Sequence, residues 1–215
     1  MLNIIGSNSL WANSSSLMRK EMVVKIQEIG ADALQHYKQI SIAFEVKSVF
    51  HVELINNGLG GIRLREEEVM PSYIKDYDAY EDGGPEEWPK RFDIRNWGFF
   101  LALDQTRPLG GAAVVLNTPG VHILDGRADL AVLWDLRVYP DFRGCRIGTK
   151  LFNHAANWSR KRGCKQLKFE TQNVNVPACR FYAKQGCQLG EINRYAYAAH
   201  PEVGHEVMLV WYLDL

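Results

Sequence analysis

The sequence predicts an α/β domain in which helices flank a mixed, largely antiparallel sheet. Three segments rich in β-branched and aromatic residues follow one another between residues 98 and 138, as in an antiparallel meander. After Pro140 the pattern changes to helix, strand, helix and strand, which is typical of an α/β layer fold. The chain has 215 residues, of which 47% are apolar and 23% charged, so it can bury a sizeable core without disulfides or metals.

The N-terminal part of the chain carries weaker patterns. The apolar residues of 17–38 fit an amphipathic helix loosely. We therefore assign residues 1–38 to an N-terminal extension with a helix, and residues 39–215 to the domain. Residues 39–55 and 62–69 are predicted as strands, and the Asn-Asn-Gly sequence between them favours a turn.

The second half of the chain has clearer boundaries. Residues 73–88 form an acidic, aromatic stretch with the glycines and proline of a loop. Glycines follow both predicted helices, as is common at the residue after a helix C-terminus. The predicted elements are strands at 98–104, 110–117 and 129–138, a helix at 148–162, a strand at 165–171, a helix at 177–185 and a strand at 206–213.

Charge and composition exclude several classes of protein. Lysine plus arginine and aspartate plus glutamate both total 25, which gives no argument for nucleic acid or an anionic membrane as partner. No run of 18 apolar residues occurs, and the N-terminus lacks the features of a signal peptide. The four cysteines form no CxxC pair, so we expect reduced thiols, no metal site and a cytoplasmic location.

The most informative segment runs from Val138 to Thr149, where a strand ends, a loop carries two glycines and a helix begins. Unpaired amides at a helix N-terminus form an anion site together with the helix dipole. Gly144 and Gly148 would let a pyrophosphate approach the backbone, and Arg143 adds positive charge. A plain strand–turn–helix connection is the alternative, and the loop matches neither a Walker A motif nor GxGxxG.

Two motifs in this region resemble those of the GNAT acetyltransferase superfamily. The family's pyrophosphate loop reads Arg/Gln-x-x-Gly-x-Gly/Ala, and Arg143 to Gly148 matches it except that Arg146 replaces the first glycine. We expect this replacement to be tolerated if Arg146 has a helical rather than a positive φ. The segment 175–186 resembles the signature Asn-x-x-Ala-x-x-x-Tyr-x-x-x-Gly, and its fixed positions hold Asn175, Ala178, Tyr182 and Gly186.

The resemblance covers residues 98–215 and is strongest to the streptothricin acetyltransferases and their relatives. It implies a GNAT-like sheet with a splayed central parallel strand pair, and acetyl-CoA as the cofactor, bound mainly by residues 129–190. It also implies a cofactor site made of the strand before the loop, the loop itself and the second helix: Leu136, Val138, Arg143, Gly144, Cys145, Arg146, Ile147, Gly148, Thr149, Asn175 and Tyr182.

The implied reaction is direct transfer of an acetyl group from a thioester to a primary amine. Tyr182 is the candidate acid for the leaving sulfur, with packing of its ring in the core as the alternative. Asp135 and Glu170 are candidate bases, acting directly or through water, unless they serve as structural hydrogen-bond acceptors. Asn175 could instead cap a helix.

The acidic, aromatic stretch supplies the candidate acceptor site. Carboxylates and aromatic faces suit a cationic amine, and we assign Asp76, Tyr77, Tyr80 and Trp88 to it; a solvated loop is the alternative. The resemblance favours a small, polyamine-type antibiotic as acceptor. A protein N-terminus or lysine, a non-catalytic acetyl-CoA-binding module and a nucleotide-binding protein remain alternatives, and a homodimer is one option for the assembly.

Overall fold

A computed structural model describes residues 22–80 and 84–215. Its strands are β1 (Val24–Ile29), β2 (Phe44–Leu54), β3 (Ile62–Lys75), β4 (Gly98–Asp104), β5 (Arg107–Leu116), β6 (Leu130–Val138), β7 (Gln166–Gln172), β8 (Gln188–Asn193) and β9 (Met208–Asp214). Its α-helices are α1 (Leu34–Lys38), α2 (Trp88–Arg91), α3 (Ile147–Lys161) and α4 (Val176–Lys184). Short 3-10 turns, including Tyr77–Ala79 and Pro140–Phe142, connect some of these elements.

A seven-stranded mixed sheet organises the molecule, with strand order β1-β4-β5-β6-β7-β9-β8. Strands β6 and β7 pair in parallel, and the other neighbours described in this sheet pair antiparallel. The predicted mixed α/β fold with a largely antiparallel sheet is therefore confirmed. A helix connects β6 to β7, as a parallel pair requires.

The parallel pair is splayed. Pairing between β6 and β7 extends only from Leu130 opposite Gln166 to Val132 opposite Lys168. Immediately after this point β6 carries a bulge: Val114 of β5 lies opposite Leu133 and Ala113 opposite Asp135, so Trp134 is the extra residue. Because a bulge bends its strand, β6 leaves β7 here and a gap opens toward the C-terminal ends of both strands.

Apolar layers cover both faces of the sheet. On one face, Leu151 and Phe152 of α3 pack against Phe100, Leu109 and Phe169. The opposite face carries an aromatic cluster, whose buried members are Tyr37, Trp88, Trp97 and Phe99 and whose half-buried members include Phe92 and Trp134. The core therefore fixes both central strands on either side of the gap.

Strands β2 and β3 form a separate antiparallel ribbon, and Asn173 links its backbone to the main sheet by hydrogen bonds. The Phe50 amide donates to the Asn173 carbonyl at 2.9 Å, and the Asn173 side-chain amide donates to the Phe50 carbonyl at 2.9 Å. On its other side, Asn173 exchanges two further hydrogen bonds with the backbone of Val207. One asparagine thus joins the ribbon, the end of β7 and the start of β9.

The N-terminal prediction needs correction. Residues 24–29 form β1, which pairs antiparallel with β4, and only Leu34–Lys38 is α-helical in the described part of 17–38. The side chains of Val24, Ile26 and Ile29 are half-buried while the intervening ones are exposed. This near-alternation of half-buried and exposed side chains is typical of a strand, and pairing with β4 stabilises the strand in the folded protein. The predicted residues 17–21 lie outside the described residues.

The predicted domain boundary between residues 38 and 39 stays a prediction, and the membership of β1 in the main sheet weighs against it. Strand β8 was not predicted, and β3 extends six residues beyond the strand predicted at 62–69. In residues 22–80 and 84–215, no helix is long and apolar enough to cross a lipid bilayer.

Candidate active site

The gap between β6 and β7 is the centre of the candidate site. Beyond Val132, the edge of β6 that faces β7 has no strand partner in the described chain. Unpaired backbone groups on such an edge can bind an extended ligand as an added strand would. Leu136 and Val138 lie along this stretch, and both pack partly against the α3 side of the core.

The loop between β6 and α3 closes one end of the gap. A single 3-10 turn at Pro140–Phe142 is followed by Gly144 with φ 80° and by the start of α3 at Ile147. The amides of Ile147, Gly148 and Thr149 in the first helical turn donate to no acceptor within the described residues. These amides are therefore free to bind an anion at the positive end of the helix dipole.

Arg146 contradicts the expectation of a helical backbone at this position. It has φ 62° and ψ 11°, in the left-handed region that favours glycine, and it forms the N-cap of α3. A left-handed conformation costs a non-glycine residue roughly 1–2 kcal/mol. The family has a glycine at this position, and glycine adopts the left-handed conformation without this cost. This chain keeps the same backbone conformation with Arg146.

The other predicted loop residues divide into two groups. Arg143 donates to the carbonyls of Val138 at 3.0 Å and Ala43 at 2.7 Å, so its guanidinium ties the loop to the segment before β2. Ile147 is buried and Cys145 half-buried, so they anchor the loop to the core. A Cβ on Gly148 would make an ordinary van der Waals contact with Phe181 at 3.7 Å, so packing within the protein does not by itself require glycine at this position.

Tyr182 lies on α4 with its ring in the core. Its ring centroid is 4.2 Å from that of Phe169 and 6.5 Å from that of Trp211. Burial raises the pKa of Tyr182, and the charge of Asp135 raises it further. Its hydroxyl therefore stays protonated at neutral pH, and it has no hydrogen-bond partner among the described residues. Tyr182 can therefore pack its ring in the core and still carry a hydroxyl proton that is available to a ligand.

Asp135 is committed to a buried ionic network. Its carboxylate accepts hydrogen bonds from the Tyr37 hydroxyl at 2.5 Å and from Arg137 at 2.9 and 2.6 Å. Arg137 also pairs with Asp78 at 2.7 Å and donates to the Ile40 carbonyl. Burial lowers the pKa of Arg137, but its carboxylate neighbours outweigh this effect and hold the pKa above the ordinary value. Since both Asp135 oxygens are occupied, the carboxylate is poorly placed to accept a proton.

Glu170 has the opposite environment. It is exposed on β7, beyond the last residue that pairs with β6. Its Oε1 accepts a hydrogen bond from the Tyr197 hydroxyl and a long one, 3.4 Å, from Gln172. Its Oε2 has no partner in the described part of the chain. Glu170 therefore combines a fixed oxygen with a free one.

Tyr182 and Glu170 lie on opposite faces of the sheet. The ring of Phe169 contacts Tyr182 on the helix side, and successive side chains of a strand point to opposite faces. Glu170 and Gln172 consequently point to the other face, where their hydrogen-bond partner Tyr197 lies. The gap between the strands is the passage between these two faces.

Asn175 caps α4, which was the structural alternative for this residue. Its side-chain oxygen accepts from the Ala178 amide at 3.2 Å, at the start of the helix. The Asn175 side chain also interacts with the Tyr77 hydroxyl, an interaction that lowers the pKa of Tyr77 against the larger effect of burial. A contact between the Asn175 side-chain amide and a cofactor stays a prediction.

Three of the four predicted acceptor residues lie in or beside one short turn. Tyr77 lies beside the gap and donates to Gln172, and its pKa is raised by burial. Asp76 caps the turn that contains Tyr77 by accepting from the Asp78 amide at 3.0 Å. Tyr80 is 39% exposed and accepts a hydrogen bond from the buried Lys75.

The prediction for Trp88 is wrong. Its side chain is only 3% exposed, and its ring packs against Tyr37, Trp97 and Phe99 in the aromatic cluster. Trp88 therefore supports the core and cannot offer a face to an acceptor. Its place within an acidic, aromatic stretch suggested exposure, but the ring is the most hydrophobic part of that stretch and is buried.

Some residues at the site were not predicted. Arg137 could have been found, because it lies two residues after Asp135 and therefore shares its strand face. Tyr37 and Tyr197 had no local signal, since they reach Asp135 and Glu170 over 98 and 27 residues of sequence. Lys75 and Glu206 form a buried ion pair near Tyr80 that likewise joins distant segments.

Comparison with known proteins gives a consistent result. Residues 66–187 match the model of the acetyltransferase (GNAT) family. A streptothricin acetyltransferase of Escherichia coli is 32% identical over 169 residues, which are 79% of this chain and 84% of that protein. A streptothricin acetyltransferase of Streptomyces lavendulae is 31% identical over 67% of this chain and 70% of its own length.

The fold also matches solved structures. A crystal structure of a protein assigned as a streptothricin acetyltransferase, from Bacillus anthracis str. Ames in complex with acetyl coenzyme A, superposes with a TM-score of 0.70. The match covers 90% of this chain and all of that one, at 24% sequence identity, and therefore supports the fold.

Proposed function

We propose that this chain, which belongs to the GNAT acetyltransferase family, acetylates a primary amine of a small cationic acceptor of the streptothricin type. The premise is that the chain is an acetyl-CoA-dependent N-acetyltransferase. The observation that carries the proposal is the splayed gap, which has an unpaired strand edge along one side and free helix amides at its end. The similarity to streptothricin acetyltransferases supports the class of acceptor.

The residues fit the cofactor in chemistry and in space. The amides of Ile147, Gly148 and Thr149, with the exposed Arg146 beside them, would hold the pyrophosphate. The free edge of β6 near Leu136 would pair with the amides of the pantetheine arm. Bound acetyl-CoA would supply the acetyl group as a thioester, whose carbonyl carbon is attacked by the amine.

We assign the base to Glu170 and a structural role to Asp135. An ammonium group cannot attack, so a carboxylate must first accept one of its protons, directly or through water. Oε2 of Glu170 is free for this task, whereas both oxygens of Asp135 are bound by Tyr37 and Arg137. Tyr182, which burial keeps protonated, would supply a proton to the sulfur as it leaves the acetyl group.

A two-part experiment tests this function. In a thermal-shift assay, coenzyme A and acetyl-CoA should raise the melting temperature, and ATP should not. At a ligand concentration of a hundred times Kd, binding should add about 2.7 kcal/mol to the free energy of unfolding. Acetyl transfer is then followed by thiol release and mass spectrometry with a streptothricin, a simple polyamine and peptides that carry a free N-terminus or a lysine. We expect the antibiotic and the polyamine to be acetylated faster than the peptides.

Each other outcome has a definite meaning. Absence of any coenzyme A effect would overturn the cofactor site. Preferred acetylation of the peptides would replace the small acceptor by a protein N-terminus or lysine. Cofactor binding without transfer to any amine would favour the non-catalytic acetyl-CoA-binding module.

A further inference from the structure

A hydrogen-bonded chain of side chains lies along the face of the sheet that carries Glu170. The Tyr197 hydroxyl donates to Oε1 of Glu170 and accepts from the side-chain amide of Gln172 at 2.8 Å. The carbonyl oxygen of the same Gln172 side chain accepts from the Tyr77 hydroxyl. The chain thus joins the turn at Tyr77–Ala79, strand β7 and the segment between β8 and β9.

The geometry points to Tyr197 as a positioning residue, which we propose holds Glu170 in one orientation for proton transfer from the acceptor amine. This inference rests on the proposed function, because it names how the base of that reaction is held. Gln172 fixes Tyr197 in turn. Its side-chain oxygen is held by Tyr77, and its side-chain amide donates to Tyr197 at 2.8 Å and, over a longer distance of 3.4 Å, to Glu170.

Exposure explains why Glu170 needs such a partner. An exposed glutamate side chain samples several rotamers, and fixing one of them costs side-chain entropy. The bond from Tyr197 occupies Oε1 and thereby leaves Oε2 as the oxygen without a partner among the described residues. A hydrogen bond to a charged group is stronger than one between neutral groups, so a single phenol is sufficient to hold it.

Tyr197 is suited to remain a donor. Burial raises its pKa, and the charge of Glu170 raises it further, so the hydroxyl keeps its proton throughout the neutral range. Tyr195 in the same segment offers a natural comparison. It is 75% exposed, and its hydroxyl has no hydrogen-bond partner within the part of the chain that the structure describes.

The test compares Tyr197→Phe with Tyr195→Phe in the complete chain. Loss of the Tyr197 hydroxyl should lower kcat on the order of tenfold. The Glu170 carboxylate would no longer be held in place, and a displacement of a reacting group by about 1 Å or less slows a reaction strongly. The KM for acetyl-CoA and the thermal shift caused by coenzyme A should stay unchanged, since the residues proposed to hold the cofactor lie on β6, on the loop after it and at the start of α3, and Tyr197 hydrogen-bonds to none of them. Tyr195→Phe should keep the wild-type kcat.

A double-mutant cycle shows whether Tyr197 acts through Glu170. In the Glu170→Gln background, where transfer is slow, Tyr197→Phe should change kcat by less than about twofold, because coupled residues do not add. An equal loss in both backgrounds, or a wild-type kcat for Tyr197→Phe, would overturn the proposal. Failure of the wild-type protein to bind coenzyme A would instead overturn the proposed function, so the two failures are distinguishable.

Discussion

At the scale of single residues, Arg146 shows how the backbone conformation of the cofactor loop is kept without its usual glycine. Replacement of Arg146 by glycine removes a left-handed penalty of roughly 1–2 kcal/mol but adds backbone entropy to the unfolded chain, about 0.5–1 kcal/mol. We therefore expect Arg146→Gly to raise the free energy of unfolding by about 0.5–1 kcal/mol, measured by urea denaturation. Arg146→Ala keeps the Cβ and should give no such gain; equal stabilisation by both variants would contradict the backbone explanation.

Tyr182 carries the second residue-scale prediction. The ring contributes to the core through Phe169, and phenylalanine preserves it, so Tyr182→Phe should fold normally and bind coenzyme A as before. Its kcat should fall about 100-fold or more, since general acids contribute on the order of 10²–10⁴. Steady-state kinetics with saturating acetyl-CoA measure the effect. Unchanged turnover would remove Tyr182 from the chemistry and leave it as a packing residue.

At the scale of elements, the attachment of the β2–β3 ribbon depends on Asn173. Its side chain accepts from the Val207 amide and donates to the Phe50 carbonyl. Asn173→Ala should cost about 1–3 kcal/mol, because it leaves buried backbone groups without partners. Hydrogen exchange in β2 and β3 should accelerate while β4 and β5 stay protected. Asn175→Ala, which removes the α4 cap at a cost of about 1 kcal/mol, should leave ribbon exchange unchanged.

The elements that sequence predicts well are those whose signals are local. Helix α3 was predicted within one residue at each end, because its apolar stripe and the following Gly163 lie close together in sequence. Strand β1 was assigned to a helix, since its partner β4 begins about 70 residues later and pairing alone makes it a strand. Every residue of strand β8 is exposed or half-buried, so its sequence lacks the apolar alternation by which a strand is predicted.

The same limit applies to the candidate site. The loop and α4 residues were found because a motif presents them in one stretch, and the bond between Asn175 and Ala178 is local too. The state of the two carboxylates was not predictable in this way. Asp135 meets Tyr37 and Glu170 meets Tyr197 only after the chain has folded, and these partners decide which carboxylate is available.

At the scale of the whole molecule, buried acids predict sensitivity to alkaline pH. Burial raises the pKa of the Cys179 and Cys187 thiols from an ordinary 9.0 to about 12. The folded state thus holds these protons more tightly than the unfolded state, so their contribution is complete below pH 9 and is lost as the pH rises toward 12. The free energy of unfolding should decline over this range, as urea titrations at successive pH values would show.

A matched variant isolates the thiol contribution to that decline. Cys179→Ala removes one buried acid, so its free energy of unfolding should fall less steeply above pH 9 than that of the wild type, although its value at pH 7 is lower because a cavity forms. If the free energy of unfolding of Cys179→Ala fell as steeply with pH as that of the wild type, other groups would be responsible for the decline. One such group is the buried Tyr37, whose pKa is raised well above its ordinary value by burial and by Asp135.

The opposite placement of Tyr182 and Glu170 has a kinetic consequence for the proposed reaction. Donor and acceptor that enter from separate sides do not obstruct each other, so both occupy the protein together and lines in a double-reciprocal plot intersect. An analogue of the acceptor would then compete with the amine and leave the donor's association undisturbed. A single inhibitor that occupies both the donor site and the acceptor site must have a central part narrow enough to pass through the gap between β6 and β7.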